Sequence, residues 1–154
     1  MVQAAKFCKE NSDALISVDG GNYSVQTTNA ILPYVDVFIP DDKTVTKTLG
    51  LEPKDACRYY HDHGVKISCV TLGSEGSLAY DGSEFYFAPP FDVPVVDTTG
   101  AGDNFHGAFL YCLLQGFGLH KTLRFCNTYS DFTCEALGGR AANPPLQKVL
   151  ENIE

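Results

Sequence analysis

The chain has 154 residues, of which 44% are hydrophobic and 19% are charged. This length and composition predict a single folded domain over residues 1–154 and exclude a disordered chain. Eleven basic and nineteen acidic residues give a net charge of −8, which disfavours binding to nucleic acid or to an anionic membrane. No apolar run approaches the ~20 residues of a membrane span. The start of the chain does not resemble a signal peptide, so we expect a cytoplasmic protein with reduced cysteines.

Helical and extended patterns alternate along the first half of the chain. Two segments have helical character: Val2–Asn11 and Pro53–His63. Three short apolar runs predict buried strands: Ala14–Val18, Val35–Ile39 and Val65–Leu72. A hairpin is predicted around Asp81-Gly82, with strands at Ser77–Tyr80 and Glu84–Ala88.

The second half of the chain predicts a short strand followed by two helices. The strand is Val95-Val96, and the helices follow a glycine-rich segment. The first helix has an apolar face at Phe105, Ala108, Phe109, Cys112 and Leu113. The second runs from Leu119 to Leu137, with an inner face at Leu123, Cys126, Ser130 and Thr133. Strands that alternate with helices predict an α/β fold: part of a doubly wound, mainly parallel sheet with helices on both faces, plus the hairpin.

The segment Asp97–Asp103 reads DTTGAGD and lies between the predicted strand and the first of these helices. Glycines allow a tight turn beside a ligand, and the free N–H groups of a first helical turn form an anion site. Asp103 has two interpretations. It could cap the helix, or it could accept a proton from a hydroxyl that attacks a phosphoryl group bound at the turn. Spacing alone favours the cap.

A second glycine-containing loop, Val70–Ser77, follows the third predicted strand. Gly73 and Gly76 could simply shape a turn. Their position at the carboxyl edge of the predicted sheet, where α/β proteins bind ligands, favours contact with a nucleotide.

Asp97–Phe109 reads DTTGAGDNFHGAF and resembles the C-terminal signature of the PfkB carbohydrate kinases, the ribokinase-like family: D-T-x-G-A-G-D-x-F-x-x-G/A-F. Val70–Ser77 resembles the loop of that family that contacts ATP, V-T-L-G-x-x-G-S. The resemblance implies a carbohydrate kinase, which transfers the γ-phosphoryl group of Mg²⁺-ATP to a hydroxyl of a sugar. A nucleoside or a vitamin precursor is the alternative acceptor.

The resemblance also implies roles for individual residues. Asp103 would be the general base, and the anion hole would be formed by the backbone amides of Gly100, Ala101 and Gly102. The nucleotide would contact Thr71, Leu72, Gly73, Ser74, Glu75, Gly76 and, near the adenine or ribose, Asn127. A monovalent cation such as K⁺ would bind at Asp97 and Thr99, with Thr133, Ala136 and Gly138 as further candidates.

The sequence departs from the family pattern in length and at individual positions. It resembles only the C-terminal half, so the N-terminal half and its β lid have no counterpart. Either a longer protein has been cut or this half exists alone, and we expect a homo-oligomer or association with the missing N-terminal half. The alternative function is a non-catalytic nucleotide-binding or self-associating remnant. The family motif N-x-x-E, which organises Mg²⁺, is replaced by Asp41-Asp42-Lys43-Thr44, a segment that could equally be a solvated loop. Arg140 stands where small or neutral residues are common.

Overall fold

Short apolar runs rich in β-branched residues form the strands, and longer amphipathic segments form the helices. The computed structural model describes residues 1–21 and 23–153. The helices of this part are α1 (Val2–Asn11), α2 (Val25–Ile31), α3 (Asp42–Leu49), α4 (Pro53–Asp62), α5 (Ala101–Leu114), α6 (Leu119–Thr133) and α7 (Leu146–Glu151). The strands are β1 (Ser17–Asp19), β2 (Val37–Ile39), β3 (Ile67–Thr71), β4 (Ser77–Tyr80) and β5 (Phe85–Ala88).

The strands form one five-stranded sheet in the order β1-β2-β3-β4-β5. β1 and β2 are parallel, with Ser17 opposite Val37, and β2 and β3 are parallel, with Val37 opposite Ile67. A tight turn joins β4 to β5, and in it the Asp81 carboxylate accepts a hydrogen bond from the Glu84 backbone N–H. The predicted class, mixed α/β with a mainly parallel sheet and a hairpin, is therefore confirmed.

The chain divides into two compact units. The first contains Met1–Leu72 and Leu78–Phe85, and the second contains Gly73–Ser77 and the chain from Tyr86 onward. The first unit has a core of buried apolar side chains that includes Ile31, Leu32, Phe38, Val45, Tyr60 and Val70. In the second unit α5 packs along α6. The predicted inner faces are buried at Phe105, Ala108, Phe109, Cys112, Leu123, Cys126, Ser130 and Thr133, whereas Leu113 is half-buried.

A buried carboxylate, Asp36, joins three segments of the first unit. It accepts hydrogen bonds from Lys9 Nζ at 2.6 Å, from Lys66 Nζ at 2.8 Å and from the Ile16 backbone N–H at 3.0 Å. Burial alone would raise the pKa of Asp36, but these donors outweigh it and lower the pKa from 3.8 to about 2. The ionised carboxylate therefore links α1 to the residues that precede β1 and β3.

Two predictions beside the glycine-rich segment were wrong. Val95 and Val96 do not form a strand, because their side chains are exposed and the Val96 N–H donates to the Cys134 carbonyl at 2.8 Å. The second helix ends at Thr133 instead of Leu137. The Asp97 N–H also donates to the Cys134 carbonyl, at 3.1 Å, so this carbonyl holds the connecting segment and does not extend the helix.

Three helices were not predicted: α2, α3 and α7. They have seven, eight and six residues, about two turns or fewer, which is too short for hydrophobic periodicity to stand out. The longest helix among the described residues, α6, has 15 residues, and none of the helices there has the length and hydropathy of a transmembrane span.

Candidate functional site

The glycine-rich turn forms the N-terminus of α5. Gly100 has φ of 76°, the left-handed conformation that favours glycine, and it occupies the position before the first helical residue. The Ala101 N–H donates to the Thr98 carbonyl at 3.2 Å, whereas the N–H groups of Gly100 and Gly102 have no acceptor among the described residues. A 14-residue helix places the positive end of its dipole at these amides. The turn therefore has the donors and the field of an anion site.

Asp103 is the third residue of α5 and its side chain is exposed. Within residues 1–21 and 23–153 its carboxylate makes no hydrogen bond and no ion pair, so the structure gives no support to a capping bond. Asp103 lines a cavity of about 420 Å³ together with Gly107, Tyr111, Phe125 and Tyr129. A free carboxylate on the wall of an open cavity, next to unpartnered amides, has the position required of a proton acceptor.

Asp97, which precedes the same turn, accepts hydrogen bonds from Thr99 and Gly138. Its Oδ1 accepts hydrogen bonds from the Thr99 N–H at 3.0 Å and from Thr99 Oγ1 at 2.7 Å, and its Oδ2 accepts from the Gly138 N–H at 2.8 Å. The Gly138 amide, followed by the two Thr99 donors, holds the pKa of Asp97 below its ordinary value. Asp97 and Thr99, predicted as cation ligands, thus lie together with Gly138 and are joined by hydrogen bonds.

The predicted nucleotide loop follows β3 without a break. β3 ends at Thr71 and is followed by Leu72, the last residue of the segment Met1–Leu72 of the first unit. Gly73–Glu75 then form a single exposed 3₁₀ turn. Gly76 is buried with φ of 97°, and a Cβ at this position would collide with the Ala88 carbonyl oxygen. Glycine is therefore required at residue 76, because β5 approaches the end of the loop closely. The exposed turn leaves the side chains of Ser74 and Glu75 accessible.

Asn127 lies on α6 and is 4% exposed. Its Nδ2 donates to the carbonyls of Ala88 at 2.9 Å and Pro89 at 2.8 Å, and its Oδ1 accepts from Ser77 Oγ at 2.9 Å. Ser77 follows the nucleotide loop directly. Asn127 is thus positioned to hold the end of the loop against α6, a role that sequence spacing did not reveal.

The segment that replaces the N-x-x-E motif begins helix α3, so the alternative of a plain loop was wrong. Asp41 is the N-cap: its Oδ1 accepts from the Thr44 N–H and its Oδ2 from Thr44 Oγ1, both at 2.8 Å. A Ser, Thr, Asp or Asn before a short helix was the available signal for this cap. The Asp41 carboxylate is therefore engaged in helix capping, while the neighbouring Asp42 makes no hydrogen bond among the described residues.

The sequence of residues 1–146 matches the family described as pfkB family carbohydrate kinase. The ribokinase of Lactococcus lactis subsp. lactis (strain IL1403) is 31% identical to this chain over 153 residues, which cover 97% of this chain and 48% of that protein.

Two solved structures have the same fold over almost all of this chain. Ribokinase from Arabidopsis thaliana, complexed with ribose and ATP, is 26% identical with a TM-score of 0.86 and covers 99% of this chain. An E. coli protein assigned as ribokinase II, in complex with ATP and Mg²⁺, is 25% identical with a TM-score of 0.85 and covers 98%. The match takes in 51% and 52% of those two chains, so this chain spans about half the length of its relatives. Because the family match extends over most of its residues, the chain belongs to the pfkB family of carbohydrate kinases.

Proposed function

We propose that this chain is the nucleotide-binding half of an ATP-dependent phosphotransferase that moves the γ-phosphoryl group to a hydroxyl of a sugar. One observation carries the proposal: the amides of Gly100 and Gly102, which have no acceptor among the described residues, and the free carboxylate of Asp103, which lines an open cavity, occur in one helical turn. Phosphoryl transfer depends on positioning and on charge stabilisation, and these groups provide both. A nucleoside or vitamin precursor is the alternative acceptor, with the same chemistry.

In the proposed reaction, the acceptor hydroxyl gives its proton to an Oδ atom of Asp103. The acceptor oxygen forms a new bond to the γ-phosphorus, the bond from that phosphorus to the β,γ-bridging oxygen breaks, and ADP leaves with that electron pair. The amides of Gly100, Ala101 and Gly102 stabilise the charge on the transferred group, with the Ala101 N–H turning from the Thr98 carbonyl to the phosphoryl oxygen. ATP lies along Thr71–Gly76, and Asn127 supports the nucleotide site through Ser77.

Mg²⁺, when bound with ATP, supplies positive charge to the phosphate oxygens. No group of three His, Cys, Asp or Glu side chains suited to a metal occurs among the described residues. This fits Mg²⁺, which binds largely through substrate phosphates and water and needs one or two carboxylates.

A monovalent cation such as K⁺ is proposed beside Asp97 and Thr99, with Thr133, Ala136 and Gly138 contributing further oxygens. The Asp97 carboxylate accepts three hydrogen bonds, and two carboxylate oxygens offer about four lone-pair sites, so one remains for a cation. The relevant measurement is the ATP affinity of the chain in K⁺ against the same ionic strength of tetramethylammonium.

The acceptor-binding residues are proposed to lie in the N-terminal half of the kinase, whether that half belongs to the same polypeptide or to another, or to come from a second copy of the chain. The order of the sheet supports this, because β1 lies at its end, and Leu15 just before β1 has 48% of its surface exposed. We place the protein in the cytoplasm, where ATP is available and the six free cysteines stay reduced. The alternative function is a nucleotide-binding or self-associating remnant without catalysis.

The test combines calorimetric ATP binding with phosphoryl transfer to a panel of sugars and nucleosides. We expect Asp103→Asn to lower transfer at least ~100-fold, since general-base catalysis contributes that much, while ATP affinity stays unchanged. Asp92→Asn, an exposed carboxylate of the same unit, is the control and should retain both activities. With the acceptor-binding half present, ATP binding without transfer to any acceptor would favour the remnant, and near-normal transfer by Asp103→Asn in that complete enzyme would reject the proposed base.

A further inference from the structure

We propose that Asn104 is a positioning residue that holds the phosphate-binding turn in shape by tying it to the Gly138–Gly139 turn. The effect on ATP binding that we expect from this contact rests on the function proposed above. The tie, which includes the hydrogen bond between Asn104 and Gly139, does not depend on that function. Asn104 follows Asp103 in α5, and the sequence analysis assigns it no role.

The tie consists of one strong hydrogen bond and one weak one. Asn104 Nδ2 donates to the Gly139 carbonyl at 2.8 Å and lies 3.4 Å from Thr133 Oγ1. The Asn104 backbone N–H donates to the Gly100 carbonyl at 2.9 Å, so the side chain starts from the same helical turn that presents the amides. Thr133 is 1% exposed and is the last residue of α6, which makes it a rigid anchor.

The two turns that Asn104 connects are in close backbone contact. A Cβ on Gly139 would lie 2.7 Å from the Thr99 carbonyl oxygen and 3.2 Å from Gly100 Cα, and a Cβ on Gly100 would lie 3.2 Å from Gly139 Cα. This distance is possible because both residues lack a side chain. The atoms nearest to these two Cβ positions are backbone atoms of Thr99, Gly100 and Gly139 and the Asn104 amide nitrogen, so we infer that polar contacts keep the two turns together.

Asp97 and Asn104 both hydrogen-bond to the Gly138–Gly139 turn. Asp97 Oδ2 accepts from the Gly138 N–H, and Asn104 Nδ2 donates to the carbonyl of the next residue, Gly139. One donor and one acceptor of this turn are thus paired with side chains from the phosphate-binding segment. If only the hydrogen bond between Asp97 and Gly138 remained, the Gly138–Gly139 turn could rotate about that bond. Gly100 would then lose its contact with Gly139.

A displacement of the Gly100 backbone would affect the contact of its amide with the γ-phosphoryl group. In the proposed reaction the amides of Gly100–Gly102 contact the γ-phosphoryl group, which ADP lacks. Loss of the Asn104 tie should therefore weaken ATP binding and leave ADP binding unchanged. A residue that only supported overall stability would affect the two nucleotides equally, so the ratio of ATP to ADP affinity separates positioning from general stability.

The experiment compares Asn104→Asp and Asn104→Ala with the wild-type chain. Aspartate has nearly the same shape as asparagine but places a carboxylate against the Gly139 carbonyl, and alanine removes the side chain. Asn152→Asp is the matched control, because Asn152 Nδ2 also donates to a backbone carbonyl at 2.8 Å, that of Lys148, at an exposed position. Amide hydrogen exchange is measured for Thr99, Gly138 and Arg140, and nucleotide affinity by calorimetry.

We expect exchange at Gly138 and Arg140 to rise roughly tenfold in both Asn104 variants, and exchange within α5 and α6 to stay unchanged. We also expect ATP affinity to fall roughly tenfold relative to ADP affinity, with no change in Asn152→Asp. Unchanged exchange in the two variants, or a uniform rise through both helices, would overturn the tie. If the wild-type chain binds neither nucleotide, the proposed function fails, and the exchange measurement still decides whether Asn104 holds the two turns together.

Discussion

At the scale of single residues, ionised Asp36 gives the protein a stability that depends on pH. Folding lowers its pKa from 3.8 to about 2, and the carboxylate is buried beside Lys9 and Lys66. Because the folded pKa lies below the unfolded one, the stabilisation is fully present above about pH 4 and is lost as the pH falls through about 2. A shift of this size corresponds to about 2 kcal/mol at neutral pH.

We therefore expect Asp36→Asn to lower the free energy of unfolding by about 2 kcal/mol at pH 7, because the amide cannot pair with the two lysines. The difference from the wild type should shrink between pH 4 and pH 2 as Asp36 itself becomes protonated. Urea unfolding at several pH values measures this difference in the free energy of unfolding. Asp55→Asn is the control, since Asp55 pairs with Arg58 at 3.1 Å with both side chains more than half exposed, and should cost less than about 1 kcal/mol. A difference that does not depend on pH would reject the assignment.

Sequence reasoning could select residues whose neighbours in the chain suggest a role, but it could not show hydrogen bonds to partners far along the chain. The glycine turn and Asp103 are adjacent in the chain, so their spacing was enough to predict an anion site with a carboxylate beside it. Asn104 and Asn127 hydrogen-bond to groups 35 and 39 residues away, a relation that one sequence cannot contain. The sequence shows Asp36 as a charged residue inside an apolar run, but it does not show that Lys9 and Lys66 pair with it.

At the scale of elements, Asp41 determines where α3 begins. Its two oxygens accept hydrogen bonds from the backbone and the hydroxyl of Thr44. We expect Asp41→Ala to lower the free energy of unfolding by about 1 kcal/mol, and Asp41→Asn, which retains a capping oxygen, to cost much less. Chemical denaturation of the two variants provides the measurement. If Asp41 instead held Mg²⁺, both substitutions would weaken Mg²⁺-dependent ATP binding while stability stayed the same, which would contradict the capping role.

Most elements were predictable, and the errors have a common physical origin. β2 and β3 lie within the predicted apolar runs, because β-branched residues at the centre of a sheet are buried on both faces. β1, at the end of the sheet, overlaps the first of these runs. Val95-Val96 has the same composition, but the Cys134 carbonyl, 38 residues further along, accepts the N–H of Val96. Local propensity fails where a tertiary contact supplies the hydrogen bond that a neighbouring strand would otherwise provide.

At the scale of the whole molecule, β1 forms one end of the sheet and lies next to apolar surface. β1 pairs with β2, and the sheet order gives it no second neighbour among the described strands. Beside it is a largely apolar pocket of about 390 Å³, lined in part by Ala5, Ile16, Val18 and Ile31. A sheet edge next to apolar surface is a template for pairing with another chain.

This surface predicts that the isolated chain associates with itself as its concentration rises. We expect light scattering coupled to size exclusion to give a mass that increases up to ~100 µM, a range in which exposed strand edges cause association. Leu15→Lys, which places a charge beside β1, should keep the chain monomeric, because a lysine at a sheet edge opposes pairing. Leu137→Lys is the control, since Leu137 is 76% exposed in the other unit and should leave association unchanged. A wild-type chain that stays monomeric throughout, or equal effects of the two lysines, would show that β1 is not the associating surface.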